Sequence, residues 1–185
     1  MSNEAPPIPE YRTPRLCLLP LTLDDAAGLH RAYGDAAAMR FWDAPPSPDL
    51  AETARRIGQS LGASPVWHAC WAVMQDGRFL GMVNYHARQP WNRRLAVGWI
   101  LVPEAQGHGY MQEAMAALID HCFEVLEAHR IEAEIEPENA RSLALARRLG
   151  FSREGLLRDR LQVGGTPRSI EMWALLRPDR VAALP

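Results

Sequence analysis

The sequence predicts an α/β fold of the α+β kind, in which helices flank a mixed sheet within a single domain. Three observations predict it. The chain has 185 residues, of which 48% are hydrophobic, and this size and composition suit one packed core. Strand-like and helix-like apolar spacings alternate along the chain. A glycine-bearing loop near the middle joins a strand to a long helix, an order typical of proteins that mix the two elements.

The first part of the chain is predicted to place one strand and two or three helices before the main sheet. Residues 1–12 are rich in proline and polar groups, and we expect a flexible arm there, followed by a single domain over 13–185. Apolar residues then predict a strand over 15–20. Thr22 and Asp25 form a shortened capping signal for a first helix. Two further helices are predicted, at residues 35–42 and 49–61.

The main sheet is predicted from four strand-like segments and a closing hairpin. Asp76-Gly77 is a hairpin-turn signal between the first two segments, and Pro103 ends the third. Gly150 is expected to cap the C-terminus of the helix predicted over 139–149. The predicted strands are 67–74, 78–87, 94–102 and 131–135, the helices are 111–126 and 139–149, and the hairpin pairs 156–163 with 168–176.

Composition excludes several classes of partner. The formal net charge is −2 and 23% of the residues are charged, so no overall basic field favours nucleic acid or an anionic membrane. No apolar run approaches a membrane span, and the N-terminus lacks the pattern of a signal peptide. Cys17, Cys70 and Cys122 are widely spaced, which favours reduced core thiols over disulfides or a metal site. We therefore expect a cytoplasmic protein without a metal, either a monomer or a homodimer.

The stretch Gln106 to Met111 carries the clearest chemical signal. It lies between a strand and a long helix, so it presents unpaired backbone amides at a helix N-terminus, and its glycines allow an anion to approach closely. No Gly-Lys-Ser/Thr follows, as a P-loop requires, and the GxGxxG spacing of a dinucleotide site is absent. A tight turn without a ligand remains the alternative to a phosphate site.

The longer stretch VGWILVPEAQGHGYMQEAM resembles motif A of the Gcn5-related N-acetyltransferases (GNAT). Gln106 and Gly109 match the family's loop pattern, whereas Met111 stands where glycine or alanine is expected. The resemblance implies that acetyl-CoA is the cosubstrate. It also implies that its pyrophosphate is bound by backbone amides of the loop, which are those of Gly107, His108, Gly109, Tyr110 and Met111.

Other segments resemble the RimJ/RimL-type branch, which acetylates the N-termini of ribosomal proteins. They are RLCLLPLTLDDA, NRR, PENARS, LGF with EG, and GGTPRSIEMWALL, so the resemblance covers about Arg15 to Leu176. It implies the GNAT fold, a twisted mixed sheet of six to seven strands that is split between two central parallel strands. Pantetheine would lie in that split, paired with backbone groups of Ile100, Leu101 and Val102.

Candidate catalytic residues come from the same resemblance. Asn139 would bind the cofactor arm and Ser142 would sit beside its sulfur as an acid or a water holder, although Asn139 also suits a helix N-cap. Glu134 is the first candidate for the base, because an amino-terminal acetyltransferase relative carries its glutamate there. Glu132 and Glu136 share its face of the strand, and a solvated face is the alternative reading of all three.

Acceptor binding is predicted to involve Trp42, Asn84 and His86. Trp42 lies in the early helical region, which we expect to select the acceptor. Asn84 and His86 end a strand that should approach the cleft, where either could orient the amine or relay a proton through water. A structural role is the alternative for the histidine.

The predicted function is transfer of acetyl from acetyl-CoA directly to a primary amine, with a protein N-terminal α-amine as the leading acceptor. A small amine, such as an aminoglycoside, a polyamine or an amino acid, is the alternative within the same chemistry. A non-catalytic acyl-CoA-binding module is the alternative of another class, and Met111 is its only hint. Direct transfer needs no nucleophilic intermediate, so Cys122 is expected to be a core residue.

Overall fold

The structure is a computed structural model that describes residues 8–182. It contains eight strands and five α-helices among these residues. The strands are β1 Tyr11–Arg12, β2 Cys17–Pro20, β3 Ala69–Gln75, β4 Arg78–Gln89, β5 Arg94–Leu101, β6 Arg130–Ile135, β7 Ser152–Val163 and β8 Thr166–Leu176. The helices are α1 Ala26–Tyr33, α2 Leu50–Leu61, α3 Tyr110–Glu124, α4 Ala140–Arg148 and α5 Arg177–Ala182.

All eight strands form one sheet, in the order β1-β2-β3-β4-β5-β6-β8-β7. The predicted fold class is confirmed, and the sheet has one strand more than the six to seven expected. The addition is the two-residue β1, which pairs with β2 at the end of the predicted arm. Residues 1–7 of that arm and residues 183–185 of the predicted domain lie outside the described residues.

Local signals account for most of the element boundaries. Asp76 and Gly77 adopt φ angles of 47° and 75°, as the turn of the β3–β4 hairpin requires. Asp49 caps α2 by accepting a hydrogen bond from Glu52 N at 2.8 Å. The predicted helix over 35–42 is wrong, because only Ala38–Phe41 forms a 3-10 turn. The Asp35 carboxylate accepts from Ala38 N at 2.7 Å, which favours a local turn over a longer helix.

The strands β5 and β6 are parallel neighbours that separate along their length. Their pairs join Arg94 to Arg130, Leu95 to Ile131 and Ala96 to Glu132. The later residues of β5 and β6 are also described by the structure, and no backbone pairing joins them. A wedge-shaped gap therefore opens after Ala96 and Glu132, and it widens toward the C-terminal end of β5. The predicted split between two central parallel strands is confirmed.

Helices cover both faces of this split sheet. His121 of α3 stacks on Tyr85 of β4 with ring centroids 6.1 Å apart, and Ser142 of α4 contacts Trp99 of β5, so α3 and α4 share one face. On the other face, Ser60 of α2 contacts the thiol of Cys70. Side chains alternate along a strand, and residues paired across strands share a face. The first face is called the α3/α4 face below, and the second the α1/α2 face.

The core runs along the sheet between these helix layers. Buried side chains include Trp71, Phe123, Leu18 and Ile131, each at most 1% exposed. Cys17, Cys70 and Cys122 are free thiols. No helix among the described residues is long and apolar enough to cross a membrane.

Candidate active site

The loop between β5 and α3 has the geometry of an anion site. Gly107 and Gly109 adopt φ angles of 85° and 77°, values that side-chain-bearing residues rarely reach. Gly109 is the N-cap of α3. Within the described residues, no backbone amide from Gly107 to Met111 donates a hydrogen bond. The free amides and the positive end of the helix dipole together attract a phosphate group.

Met111 departs from the family's loop pattern, but its side chain leaves the loop clear. It is 7% exposed and belongs to the hydrophobic core. Its backbone amide stays at the first turn of α3, where it points along the helix axis toward the loop. The only hint of a non-catalytic module therefore disappears.

Two arginines hold the loop in place, and neither was predicted from the sequence. Arg15 donates from Nη1 to His108 O at 3.0 Å and from Nε to Glu113 Oε2 at 2.6 Å. Burial raises the pKa of Glu113, but hydrogen bonds from Thr13 and Arg15 outweigh it and lower that pKa overall. From the other side of the gap, Arg141 of α4 donates to the Gln106 side-chain oxygen.

The edge of β5 that faces the gap can receive an extended chain. Val102 donates its backbone amide to Leu80 O on β4 at 2.9 Å. Because backbone groups alternate in direction along a strand, those of Leu101 point to the opposite side, into the gap. Ile100 pairs with Met82 of β4. Of the three residues expected to meet pantetheine, Leu101 is the one best directed toward it.

Asn139 and Ser142 lie on the α3/α4 side of the gap. Asn139 caps α4, and its Oδ1 accepts a hydrogen bond from Ser142 N at 3.2 Å. The Ser142 hydroxyl accepts a hydrogen bond from the indole of Trp99 at 3.3 Å. Since Trp99 belongs to β5 and Ser142 to α4, this contact spans the gap. A hydroxyl group is thus held beside the space between the two strands.

Glu132 and Glu134 of β6 project on the opposite, α1/α2 face, because they alternate with the buried Ala133 and Ile135, and Glu136 follows directly after the strand. Each is ion-paired with arginine. Glu132 lies 2.6 Å from Arg130 and 3.0 Å from Arg94. The remaining two pairs are Glu134 with Arg160 at 3.3 Å and Glu136 with Arg168 at 2.9 Å.

Asn84 and His86 of β4 also lie on the α1/α2 face. They are paired with Gly98 and Ala96 of β5, at the closed end of the gap. His86 Nδ1 lies 3.0 Å from Asn84 Oδ1. Burial lowers the pKa of His86, and the nearby carboxylates Asp43 and Glu134 oppose that effect.

Trp42 stands at the rim of the same face. Its ring centroid lies 5.7 Å from that of Tyr33 in a tilted contact. Arg168 of β8 donates to Arg40 O at 2.7 Å, which brings the β7–β8 hairpin against the segment that carries Trp42. The early loop and the hairpin are therefore in contact on this face.

The predicted residues thus come together in three groups around a single gap. The loop residues stand at its wide end, Asn139 and Ser142 on one face, and Asn84, His86 and Glu134 on the other. Within the described residues, no cluster of three His, Cys, Asp or Glu could hold a metal ion. Backbone amides of the loop can bind the phosphate of an elongated ligand, whose other end can then extend to the closed end of the gap. Side chains on either face of the gap can donate or accept protons there.

Sequence comparison identifies relatives over most of the chain. Residues 15–152 match the family model described as acetyltransferase (GNAT) domain. The uncharacterised N-acetyltransferase p20 of Bacillus licheniformis is 30% identical over 168 residues, which cover 89% of this chain and 94% of that protein. Spermidine N(1)-acetyltransferase of Escherichia coli K12 is 27% identical over 82% of this chain and 81% of its own. The uS5-alanine N-acetyltransferase of the same organism is 39% identical over 83 residues, 45% of this chain and 43% of that protein.

Solved structures share the fold. An acetyltransferase of the GNAT family from Bacillus anthracis superposes with a TM-score of 0.80 at 22% identity, over 90% of this chain and 98% of that one. A spermidine N-acetyltransferase from Vibrio cholerae, solved with CoA and spermine, gives a TM-score of 0.79 at 20% identity, over 91% and 99% of the two chains.

Proposed function

The chain belongs to the acetyltransferase (GNAT) domain family and is an acetyl-CoA-dependent N-acetyltransferase, and from this premise we propose that its acceptor is the N-terminal α-amine of a protein. Acetyl-CoA is the cosubstrate, and it supplies an activated acetyl group as a thioester. The family establishes the reaction and leaves the acceptor open. Relatives act on a ribosomal protein and on spermidine. These substrates differ in positive charge, so we use the charge of the α1/α2 face to choose between them.

The pairing of every glutamate on β6 with arginine carries the proposal. A polyamine presents two or more positive charges and is best bound by carboxylates without partners. Here Glu132, Glu134 and Glu136 are each within 3.3 Å of a guanidinium. The face is therefore close to neutral, which suits a single ammonium group on an otherwise extended peptide. We propose that such a chain binds beside Trp42 and the β7–β8 hairpin.

The residues around the gap divide the chemical work. We propose that the free amides of the loop, from Gly107 to Met111, hold the pyrophosphate. Asn139 and Leu101 would position the pantetheine arm in the gap. Ser142, on the α3/α4 face, would provide the proton that the departing thiolate requires.

We propose that Glu134, on the α1/α2 face, is the carboxylate that assists deprotonation of the acceptor. The amine would then approach the thioester from the side opposite to Ser142, so that the two proton transfers do not compete for the same space. The ion pair with Arg160 holds the Glu134 carboxylate on this face, 3.3 Å from the guanidinium.

A competition between acceptors tests the proposal. Thiol release from acetyl-CoA would be measured with a peptide that has a free N-terminus, with the same peptide blocked by acetylation, and with spermidine. We expect the free peptide to give the highest kcat/KM and the blocked peptide to give none. A clear preference for spermidine would contradict the proposed acceptor while leaving the acetyl-transfer reaction intact.

The charge argument has its own test. Arg160→Gln removes the partner of Glu134 and should raise activity on spermidine relative to the peptide, by up to about fivefold for one released charge near the surface. Arg158→Gln, two residues earlier on β7, is the charge-matched control and should not change the ratio. Equal ratios in all three proteins would mean that charge pairing on this face does not select the acceptor.

A further inference from the structure

A row of polar side chains crosses the α1/α2 face at the closed end of the gap. The β3–β4 register pairs Ala69 with Tyr85 and Cys70 with Asn84. Its continuation by one residue places His68 opposite His86. The row continues through Ala96 of β5, which pairs with His86. Two imidazoles thus adjoin the point where β5 and β6 begin to separate.

Asn84 determines which nitrogen of the His86 ring carries the hydrogen. Its side chain is 7% exposed, and it lies over Gly98, where a Cβ atom would come within 3.0 Å of Asn84 Oδ1. Glycine at that position therefore leaves room for the amide. With Oδ1 facing His86 Nδ1 at 3.0 Å, Nδ1 carries the ring hydrogen and donates it. The other nitrogen, Nε2, keeps a lone pair and can accept a proton.

Burial and neighbouring carboxylates act on His86 in opposite directions. Burial lowers the pKa of His86 and so favours the neutral ring. Asp43, from the loop before α2, and Glu134, from β6, act in the opposite direction and stabilise the protonated ring. Burial and the neighbouring His86 also lower the pKa of His68, which disfavours its charged form.

The second imidazole is held by its own contacts. His68 Nε2 lies 2.5 Å from Ser60 Oγ and 3.0 Å from Cys70 Sγ. Burial raises the pKa of Cys70 to about 11, which keeps the thiol protonated. His68 is therefore engaged on Nε2, whereas His86 is engaged only on Nδ1 among the contacts of the described residues.

The position of His86 matches the expected site of reaction. Acetyl-CoA held at the loop after β5 would extend along the gap toward its closed end at Ala96 and Glu132, and its thioester would then lie at that end. His86 is paired with Ala96 there, on the α1/α2 face. Proximity of a base to the ammonium group is the first requirement for general base catalysis.

We propose that Nε2 of His86 accepts the proton of the acceptor ammonium, with Asn84 as a positioning residue and with Glu134 and Asp43 stabilising the resulting imidazolium. This inference rests on the proposed function. One proton passes from the ammonium to Nε2, and the freed lone pair forms the C–N bond. The C–S bond then breaks and its electron pair leaves with sulfur. The second N–H proton is lost to water, Ser142 gives a proton to the thiolate and regains one from water, and His86 returns its proton to water.

Two acceptors distinguish a base from a structural residue. A peptide amine is an ammonium ion at pH 7, whereas a peptide hydrazide is already neutral and needs no deprotonation before attack. His86→Gln should lower kcat/KM by about a hundredfold on the amine, the lower end of the usual contribution of a general base. On the hydrazide the loss should be less than about fivefold. Calorimetric affinity for CoA should stay unchanged, which verifies the fold and the cofactor site.

The pH profile of kcat/KM separates His86 from Glu134. His86→Gln should remove the ascending limb below the pKa of the amine. Glu134→Gln should keep that limb and move it to lower pH, because the imidazolium loses a stabilising charge. Asn84→Asp should move the limb to higher pH, because a carboxylate at Nδ1 stabilises the imidazolium.

Two results would overturn the inference. One is an equal loss on amine and hydrazide in His86→Gln, which would indicate a structural role. The other is a limb that survives in His86→Gln and disappears in Glu134→Gln, which would make Glu134 the proton acceptor. Neither result affects the proposed acceptor, which fails instead if the wild-type protein prefers spermidine to the peptide.

Discussion

His121 provides a prediction about stability whose magnitude follows from its environment. The side chain is 4% exposed and lies within an aromatic cluster. Its Nδ1 is 2.6 Å from the hydroxyl of Tyr11, and its ring centroid is 5.3 Å from that of Trp71. Burial, together with the charge of Arg88, lowers the pKa of His121 from 6.5 to about 4. The folded protein therefore holds this imidazole in its neutral form.

The sign of the pH effect follows from the protonation of the two states. Above pH 6.5 the ring is neutral in both the folded and the unfolded chain, so it adds no pH dependence. Between pH 6.5 and 4 the unfolded chain binds a proton that the folded chain does not, and stability falls as the pH falls. The loss attributable to His121 is about 2 kcal/mol from pH 7 to pH 5 and about 3 kcal/mol by pH 4.

Urea unfolding at pH 7 and pH 5 measures this loss. The wild-type free energy of unfolding should fall by about 2 kcal/mol more than that of His121→Gln over this interval. Other titrating groups contribute equally to both proteins and cancel in the difference. His129→Gln removes an exposed imidazole and is the matched control, which should follow the wild type. A parallel fall in wild type and His121→Gln would refute the assignment of the neutral buried ring.

Three further predictions concern the site. Gly109→Trp should abolish calorimetric binding of acetyl-CoA with the fold retained, because its φ of 77° and the approaching phosphate both exclude a side chain. Gly165→Trp, at a φ of 80° in the distant hairpin, is the control and should bind acetyl-CoA normally. Unchanged affinity in a folded Gly109→Trp would contradict the loop assignment. Ser142→Ala should lower kcat by about tenfold with little change in acetyl-CoA affinity; a wild-type kcat in steady-state assays would exclude it as the acid. Trp42→Ala should raise KM for the amine by about fivefold, as expected for loss of about 1 kcal/mol of aromatic contact, and leave acetyl-CoA affinity unchanged; the reverse pattern would assign this region to the cofactor.

Features that depend on neighbouring residues were predictable from the sequence. The Asp76-Gly77 turn, the capping of α2 by Asp49 and the glycine loop after β5 all follow from residue types within a few positions of one another. The split sheet followed from the family resemblance rather than from local patterns. It agrees with the structure because β5 and β6 pair over only three positions.

Features that depend on distant partners were not predictable. No residue near Glu113 in the sequence indicates its partner, yet Arg15 binds it from 98 residues away and holds the loop as well. The two-residue β1 is stabilised in the same way, since Tyr11 bonds to His121 across 110 residues. Such contacts arise only when the sheet assembles, and no local periodicity encodes them.

The glutamates of β6 illustrate the same limit in the site. Their alternation correctly predicted a shared face, and a solvated face was the alternative. The structure gives a third arrangement, in which each carboxylate pairs with an arginine, and the partners of Glu134 and Glu136 come from the closing hairpin. The proposed preference for a singly charged acceptor depends on that pairing, which the sequence alone did not indicate.

Direct transfer between acetyl-CoA and an amine in one complex is the central claim, and a single-turnover experiment with labelled acetyl-CoA tests it most directly. Excess enzyme would be mixed with the labelled thioester, first without and then with a peptide that has a free N-terminus. We predict that without the peptide neither free thiol nor labelled protein forms, and that with it the label appears on the peptide amine at the rate of thiol release. Stoichiometric labelling of the protein before addition of the peptide, or thiol release without any acceptor, would contradict direct transfer.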